Sequence, residues 1–241
     1  MLDKAVLLLD SLKPTGGPCR LQELVERSGL PKTTAFRLVR SLVALGLLER
    51  TGDGYHLGGK LFELGSLVPR RRDLRETALP FMQDLFEATR ATVHLGVREG
   101  HDVVYVERIH GHDALALPSR IGGSLPLTCT AVGKALLAFA PAGLAEEVLQ
   151  APLPRLTRHS VTDPARLHTA IEQTQVTGLA FEEQEAAAGV CCIAAPVFGV
   201  GGETAAALSV AVPRAAFRPA QLAPAVRTAA LGLSRTLRSG I

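Results

Sequence analysis

The sequence predicts an α+β protein in which a small helical module with a β-hairpin precedes a larger domain of interleaved strands and helices. Three observations support this fold class. Residues 1–72 carry 12 Lys and Arg against 7 Asp and Glu, whereas the rest of the chain is slightly acidic. Helical periodicity dominates the first part, and pairs of strand-like segments recur in the second. With 241 residues, 47% of them apolar, the chain has enough material for extensive hydrophobic cores.

Three helices are predicted at the start of the chain. Apolar residues between Ala5 and Leu12 fall at i, i+3, i+4 and i+7, and the segment 14–18, which contains Pro and Gly, ends that helix. A short second helix runs from Leu21 to about Ser28. Gly29 stops it just before Pro31, whose fixed φ suits the first turn of a third helix.

The third helix, 31–45, combines an apolar stripe with a cationic one. At 100° per residue, Thr33, Arg37 and Arg40 project roughly opposite to the leucines, and Phe36 lies on the flank. Such a helix buries one side and presents hydrogen-bond donors on the other.

A β-hairpin is predicted next, from segments 47–49 and 55–57 around an Asp53-Gly54 turn. Three helices followed by a hairpin are typical of a winged helix-turn-helix. A helix about 10 Å wide fits the major groove, where exposed donors reach base edges and phosphates. The candidate DNA-binding residues are Lys32, Thr33, Thr34, Phe36, Arg37, Arg40, Arg50 and Tyr55.

Two other interpretations of this module stay open. The arginines of one helix can simply be a solvated face, and a winged helix can bind protein instead of DNA. The charge excess of the first 72 residues favours DNA.

The second part begins with a linker helix, predicted from Leu61 to about Arg75 and bent near Pro69, and with a separate helix from Pro80 to Thr89. Consecutive strand pairs indicate an antiparallel sheet with helices packed against it. The predicted strands are 91–98, 102–109, 190–198 and 205–212, and the further helices are 131–139, 164–177 and 219–238.

Several stretches match one known family in order and spacing. In the first part they are KAVLLLDSL, LQELVERSGLPKTTAFRLVRSLVALGLLER and GDGYHLGGKLFELG. In the second part they are PFMQDLFEATRATVHLGVREGHDVVYVERI, LPLTCTAVGKALLAF, AFEEQEAAAGVCCIAAPVFG and AALSVAVP. Over nearly its whole length the chain resembles the isocitrate lyase regulator (IclR) family of bacterial transcription factors. The resemblance implies a GAF-like α/β effector-binding fold, with a DNA-binding domain at 1–60, a linker helix at 61–76 and an effector-binding and oligomerisation domain at 77–241.

A ligand site is predicted where TAVGKA begins a helix, because the unpaired first amides of a helix favour a carboxylate. Cys192 and Ser209 alternate with apolar neighbours on their strands and can point inwards. The resemblance implies effector contacts at Ala131, Val132, Gly133, Glu182, Val190, Cys192 and Ser209. Relatives that bind very small oxo-acids often have a serine where this chain has Ala211, so the resemblance implies a larger or more apolar acid, such as an aromatic one.

These positions also have structural interpretations. Cys192, next to Cys191, can be core packing, since free cysteine is among the most buried residue types. Ser209 can bond within its own sheet. Glu182 lies in a run of acids that can form a solvated edge.

The sequence contains few residue patterns that would indicate an enzyme. Cys129 or Cys192 could pair with a histidine to form a nucleophile and its base, which leaves a thiol-dependent enzyme or redox sensor as the alternative function. The four cysteines have no CxxC spacing, and the segment 110–113 is an expected exposed loop rather than a metal site. No phosphate-binding glycine motif occurs, and no cofactor is predicted.

The prediction is therefore a ligand-responsive regulator, not an enzyme, acting as a homodimer or homotetramer on a pseudo-palindromic operator. A small organic acid is the expected effector. No membrane span and no signal peptide are predicted, so a cytoplasmic location is expected.

Overall fold

The computed structural model describes residues 1–13, 17–111 and 117–239, excluding the side chains of residues 69–72. The chain divides into two compact units, Met1–Arg72 and Asp73–Ile241. The first unit contains α1 (Leu2–Asp10), α2 (Leu21–Ser28), α3 (Lys32–Ala44), β1 (Leu48–Thr51), β2 (Gly54–Leu57) and α4 (Gly59–Ser66). The predicted end of the first helix at 14–18 lies partly outside the described residues.

A small leucine-rich core holds the three helices of the first unit together. Leu8, Leu24, Leu38 and Leu42 are all buried, as the predicted helical stripes require. Gly29 ends α2 with φ of 66°, a left-handed conformation that glycine adopts without steric cost. Only three residues separate α2 from α3, as in a helix-turn-helix.

The hairpin forms as predicted, but its turn is shifted by one residue. Thr51 pairs with Gly54, so the two-residue loop is Gly52-Asp53 and not Asp53-Gly54. Gly52 takes the positive φ, 56°, that a two-residue hairpin loop requires at its first position. The prediction was wrong here because both dipeptides contain a glycine beside Asp53, and only the strand register distinguishes them.

The second unit is built on a six-stranded antiparallel sheet of order β5-β4-β3-β8-β7-β6. The strands are β3 (Thr92–Glu99), β4 (Asp102–Ile109), β5 (Ser124–Pro126), β6 (Ala180–Glu183), β7 (Val190–Phe198) and β8 (Thr204–Pro213). The helices are α5 (Pro69–Thr89), which begins in the first unit, and α6 (Ala131–Ala138), α7 (Leu144–Gln150), α8 (Pro164–Thr177) and α9 (Pro219–Ser239). Two short 3-10 turns, Leu127–Cys129 and Arg214–Ala216, complete it.

Two separate cores cover the two faces of this sheet. One contains α5 and α9, with Met82 and Leu233 against Ile193 and Leu208. The other contains α6, α7 and α8, with Leu136, Val148 and Leu167. The sheet is thus sandwiched between helical layers, the α+β arrangement predicted from the strand pairs.

The linker region differs from the prediction. The break near Pro69 is present between α4 and α5, but α5 continues through Pro80 to Thr89 instead of ending before it. Leu74, Ala78, Met82 and Leu85 all lie in the core, and this packing outweighs the one backbone hydrogen bond that a proline removes. None of the described helices combines the length and apolar character that a bilayer crossing requires.

Candidate DNA-binding surface and ligand cavity

The helix α3 buries its apolar stripe and exposes its polar one. Ala35, Leu38, Val39 and Leu42 are buried in the core of the first unit. The sequence-predicted residues Lys32, Thr33, Phe36, Arg37 and Arg40 are exposed, and Thr34 is half-buried. The arginine side of the helix therefore faces solvent and not the body of its own unit.

The cations of this surface are available for an external anion. Among the described residues, no carboxylate lies within ion-pair distance of Lys32, Arg37, Arg40 or Arg50. The Arg40 guanidinium lies 6.0 Å from the centre of the Phe36 ring, an arrangement that orients both side chains on the same face. The N-cap of α3 is Pro31, which has no capping side chain, so the first amides of the helix are free to meet phosphate.

The hairpin contributes one exposed and one packed residue. Arg50 lies opposite Tyr55 in the β1–β2 pair and is exposed. Tyr55 is half-buried and packs against the core. Its backbone exchanges two hydrogen bonds with Cys19, N to O distances of 2.8 and 2.9 Å, which tie the hairpin to the segment before α2.

The second unit contains a cavity of about 30 Å³ between the sheet and the start of α6. Six of the seven predicted effector residues line this cavity, although they lie on four separate segments of the sequence. They are Ala131, Val132, Glu182, Val190, Cys192 and Ser209. The other lining residues are His94, Tyr105, Leu117, Pro118, Ser119, Leu125, Thr130, Ala186 and Ala187.

Gly133, the seventh predicted residue, does not line the cavity. Its amide donates to the Thr130 hydroxyl, 2.9 Å away, and so caps α6. A Cβ at this position would lie 2.1 Å from the Leu127 carbonyl oxygen, a distance no side chain allows. The glycine therefore permits the close approach of the α6 and Leu127 backbones.

Four polar residues of the cavity were missed by the sequence reasoning: His94, Tyr105, Ser119 and Thr130. The His94 Nε2 is 2.8 Å from the Ser119 Oγ, and burial lowers the pKa of His94 to about 3, with the Arg108 charge contributing. Burial also raises the pKa of Tyr105 well above its ordinary value, so both rings are neutral at physiological pH. The alternation of Thr92 and His94 with apolar residues on β3 was the available indication.

Glu182 is buried at 1% exposure, so it is not part of a solvated acidic edge. Burial raises its pKa to about 7, although its carboxylate accepts backbone hydrogen bonds from Glu185 and Ala186. Near neutral pH a fraction of the molecules therefore carries a protonated Glu182, which can donate a hydrogen bond into the cavity.

A buried ion pair fixes the loop that closes this side of the cavity. The Lys134 Nζ lies 2.5 Å from the Glu185 Oε1 and donates to the Phe181 carbonyl oxygen at 3.2 Å. Ser160 holds the Glu185 carbonyl at 2.8 Å. Because Lys134 belongs to α6, the helix start and the loop at Ala186 form one connected wall.

The cavity lining contains no Lys or Arg among the described residues. An anion bound there would meet the first amides of α6, the hydroxyls of Thr130 and Ser209, and a protonated Glu182. Such a set suits a singly charged, partly apolar ligand, because the positive end of a helix supplies only partial charge.

The cysteines do not support the thiol-enzyme alternative. Cys191 and Cys192 are successive residues of β7 and lie in the two cores on opposite faces of the sheet. Burial raises the pKa of Cys191 to about 11 and that of Cys192 well above its ordinary range, as it also raises that of Cys129. His94, the histidine that lines the same cavity as Cys192, has a pKa of about 3 and is too weak a base to form the Cys192 thiolate.

No group of three or more His, Cys, Asp or Glu residues within 1–13, 17–111 and 117–239 is arranged to hold a metal ion. The predicted exposed loop 110–113 is described only in part, since its residues His112 and Asp113 lie outside the described ranges.

Comparisons with known proteins agree on one family. Residues 67–235 match the model of the bacterial transcriptional regulator IclR C-terminal domain, and residues 1–52 match the IclR helix-turn-helix domain. The HTH-type transcriptional regulator BhcR of Paracoccus denitrificans is 32% identical over 100% of this chain and 86% of its own length. XynR of Escherichia coli is 32% identical over 98% of this chain and 96% of its own.

Solved structures give the same result. An IclR homolog from Microbacterium hydrocarbonoxydans, complexed with 4-hydroxybenzoate, superposes with a TM-score of 0.87 at 32% identity, covering 99% of both chains. The IclR structure from Thermotoga maritima gives a TM-score of 0.76 at 29% identity, covering 98% of both chains. The winged helix-turn-helix and the GAF-like sheet are thus shared over the full length, and the chain belongs to the IclR family of DNA-binding transcriptional regulators.

Proposed function

We propose that this regulator binds its operator through α3 and the β1–β2 hairpin. Its operator affinity then falls or rises when a small carboxylic acid binds in the cavity at the start of α6. The residues proposed for DNA are Lys32, Thr33, Thr34, Phe36, Arg37, Arg40, Arg50 and Tyr55. Those proposed for the effector are Ala131, Val132, Glu182, Val190, Cys192 and Ser209, with Gly133 shaping the helix start. The proposed target is an operon for the catabolism of that acid.

The proposed effector class rests on the residues that line the cavity. Neutral hydrogen-bonding groups stand among apolar side chains, and the helix start offers partial positive charge. Ala211 lies opposite Cys192 in the β7–β8 pair and adds a methyl group to that face. Together with the 4-hydroxybenzoate complex of the Microbacterium relative, this favours an aromatic carboxylic acid with a hydroxyl group.

The same lining offers a place for each end of such a ligand. The carboxylate fits the α6 start beside Thr130, and the hydroxyl fits the neutral His94–Ser119 pair, which can both donate and accept. At about 30 Å³ the cavity is too small for an aromatic ring, so binding requires its wall to move. That movement is the proposed origin of the response in operator affinity.

We further propose domain roles of DNA binding for residues 1–60, linkage for 61–76, and effector binding and oligomerisation for 77–241. A homodimer or homotetramer then places two α3 helices in successive major grooves of a pseudo-palindromic operator. The cytoplasm, where bacterial DNA lies, is the proposed location.

Calorimetric titration with 4-hydroxybenzoate, benzoate and pyruvate tests the effector class. We expect 4-hydroxybenzoate to bind more tightly than benzoate by about tenfold, the worth of one buried hydrogen bond, and pyruvate to bind weakest. Ser209→Ala weakens binding, while the exposed Ser124→Ala, a matched serine outside the cavity, leaves it unchanged. Absence of binding by all three acids contradicts the proposal.

A further inference from the structure

We propose that Arg75, Glu107 and Arg108 couple the ligand cavity to α5, the helix that joins the two units. The inference rests on the proposed effector cavity and adds three positioning residues that do not themselves line it. Its basis is a pair of polar contacts on the two sides of β4 at the same point along the strand.

On the α5 side, a buried carboxylate is held by the helix. Glu107 is 6% exposed, and its Oε2 lies 2.5 Å from the Nε of Arg75 on α5. Its other oxygen accepts the Arg108 amide at 2.8 Å. Because a buried charge without a partner is costly, any displacement of this part of β4 carries a penalty unless Arg75 follows.

On the cavity side, the next residue holds the cavity wall. The Arg108 guanidinium donates to the Ser119 carbonyl oxygen, and the Ser119 hydroxyl bonds His94. His94 lies directly opposite Arg108 in the β3–β4 pair. A ligand that contacts Ser119 therefore acts on Arg108 through one hydrogen bond, and a ligand that contacts His94 does so through two.

A β-bulge determines which face of the sheet Glu107 and Arg108 each point to. Leu95 pairs with Glu107 while Gly96 pairs with Tyr105, so Val106 is the extra residue of β4. Tyr105 belongs to the cavity face and Val106 to the α5 core. The inserted residue puts Glu107 on the α5 side as well, and it leaves Arg108 on the cavity side. Two adjacent residues thus connect opposite faces of the sheet without an intervening side chain.

These contacts couple movement of the cavity wall to the position of α5. Moving the cavity wall outwards to admit a ligand shifts Ser119 and Arg108, and the short backbone link transmits the shift to Glu107 and its partner on α5. Since α5 starts at Pro69 in the first unit, the DNA-binding unit responds to the same displacement.

The test compares Arg75→Ala and Glu107→Gln with Glu87→Gln, which removes an exposed ion pair to Arg90 near the end of the same helix. Ligand affinity is measured by titration with 4-hydroxybenzoate, and operator affinity with and without it. The coupling ratio is the operator affinity without 4-hydroxybenzoate divided by the affinity with it, or the inverse if the ligand tightens binding. Coupling ratios of about 5 to 150 are usual, and we expect this ratio to fall at least about fivefold in the first two variants. Glu87→Gln keeps the wild-type ratio, and Arg75→Lys, which retains a cation, restores part of it.

Wild-type ratios in both Arg75→Ala and Glu107→Gln overturn the inference, and so does loss of ligand binding itself, which marks a structural role. A ligand-free measurement separates this inference from the proposed effector class. His94→Ala should change hydrogen exchange of the α5 amides 73–79 in the wild-type background but not in the Glu107→Gln background. Equal changes in both backgrounds overturn the coupling even if 4-hydroxybenzoate does not bind.

Discussion

At the scale of single residues, burial decides the chemistry of the cavity. Glu182, His94 and Tyr105 are neutral or partly neutral at pH 7 mainly because each is removed from water. Their sequence contexts gave little indication of this. Glu182 stands beside Glu183, which is exposed, and only the folding of β6 turns one carboxylate inwards and the other outwards.

Glu182 makes stability depend on pH in a defined direction. In the unfolded chain it ionises near its ordinary pKa of 4.5, and in the folded chain near 7. The native state therefore loses stability as pH rises from about 4.5 to 7, by about 3 kcal/mol at most. Glu182→Gln, a neutral amide of the same shape, should abolish that loss.

Urea unfolding followed by circular dichroism checks this prediction. The fall in unfolding free energy between pH 5 and pH 8 should be smaller in Glu182→Gln than in the wild type by about 2 kcal/mol. His94 titrates in the opposite sense below pH 6.5, but it does so in both proteins and leaves their difference intact. Parallel pH profiles would show that Glu182 is ionised throughout the range.

At the scale of elements, α3 is where sequence periodicity and structure agree most closely. Its buried residues are those of the predicted stripe, and its exposed residues are those proposed for DNA. A helix with one apolar side determines its own orientation against a core, and the opposite side follows from geometry alone.

Replacing Arg37 tests that element. Arg37→Ala should cost about 1 to 3 kcal/mol of specific operator binding if the guanidinium meets a base edge. The control is Arg166→Ala, which removes the same charge from an exposed position on α8. Operator titrations by fluorescence anisotropy measure both, and equal affinities of the two variants would refute the recognition-helix assignment.

Other elements needed tertiary information. The strand β6 and the helix α7 were not predicted, since four and seven residues respectively carry too little periodicity. Pro80 was predicted to begin a separate helix, whereas packing against the sheet lets α5 continue through it. Gly133 was predicted to touch the ligand, whereas its role in the structure is to let α6 approach the Leu127 carbonyl.

At the scale of the whole molecule, charge is unequally shared. The basic residues 1–72 include all four cations proposed for DNA, and the remaining chain is slightly acidic. Phosphate contact releases counterions, so operator affinity should fall steeply with salt.

The salt dependence of operator binding provides the measurement. If each protomer of a dimer uses two or more of these cations, log affinity against log salt should have a slope steeper than about −3. A nearly flat plot would identify the winged helix as a protein-binding module. Arg37→Ala should make the slope shallower, because it removes a phosphate or base-edge cation.

The sequence alone determined the three helices and the hairpin of the first unit, the two-part organisation, the family and the exposed side of α3, because periodicity, turn residues and consecutive motifs are local properties of the chain. Tertiary structure decided the cavity. His94, Ser119, Thr130 and Glu182 come from segments far apart in sequence, and the protonation of His94 and Glu182 depends on water being excluded where those segments meet. The connection from Arg108 through Glu107 to α5 likewise depends on one extra residue in β4, which becomes visible only when β3 is paired beside it.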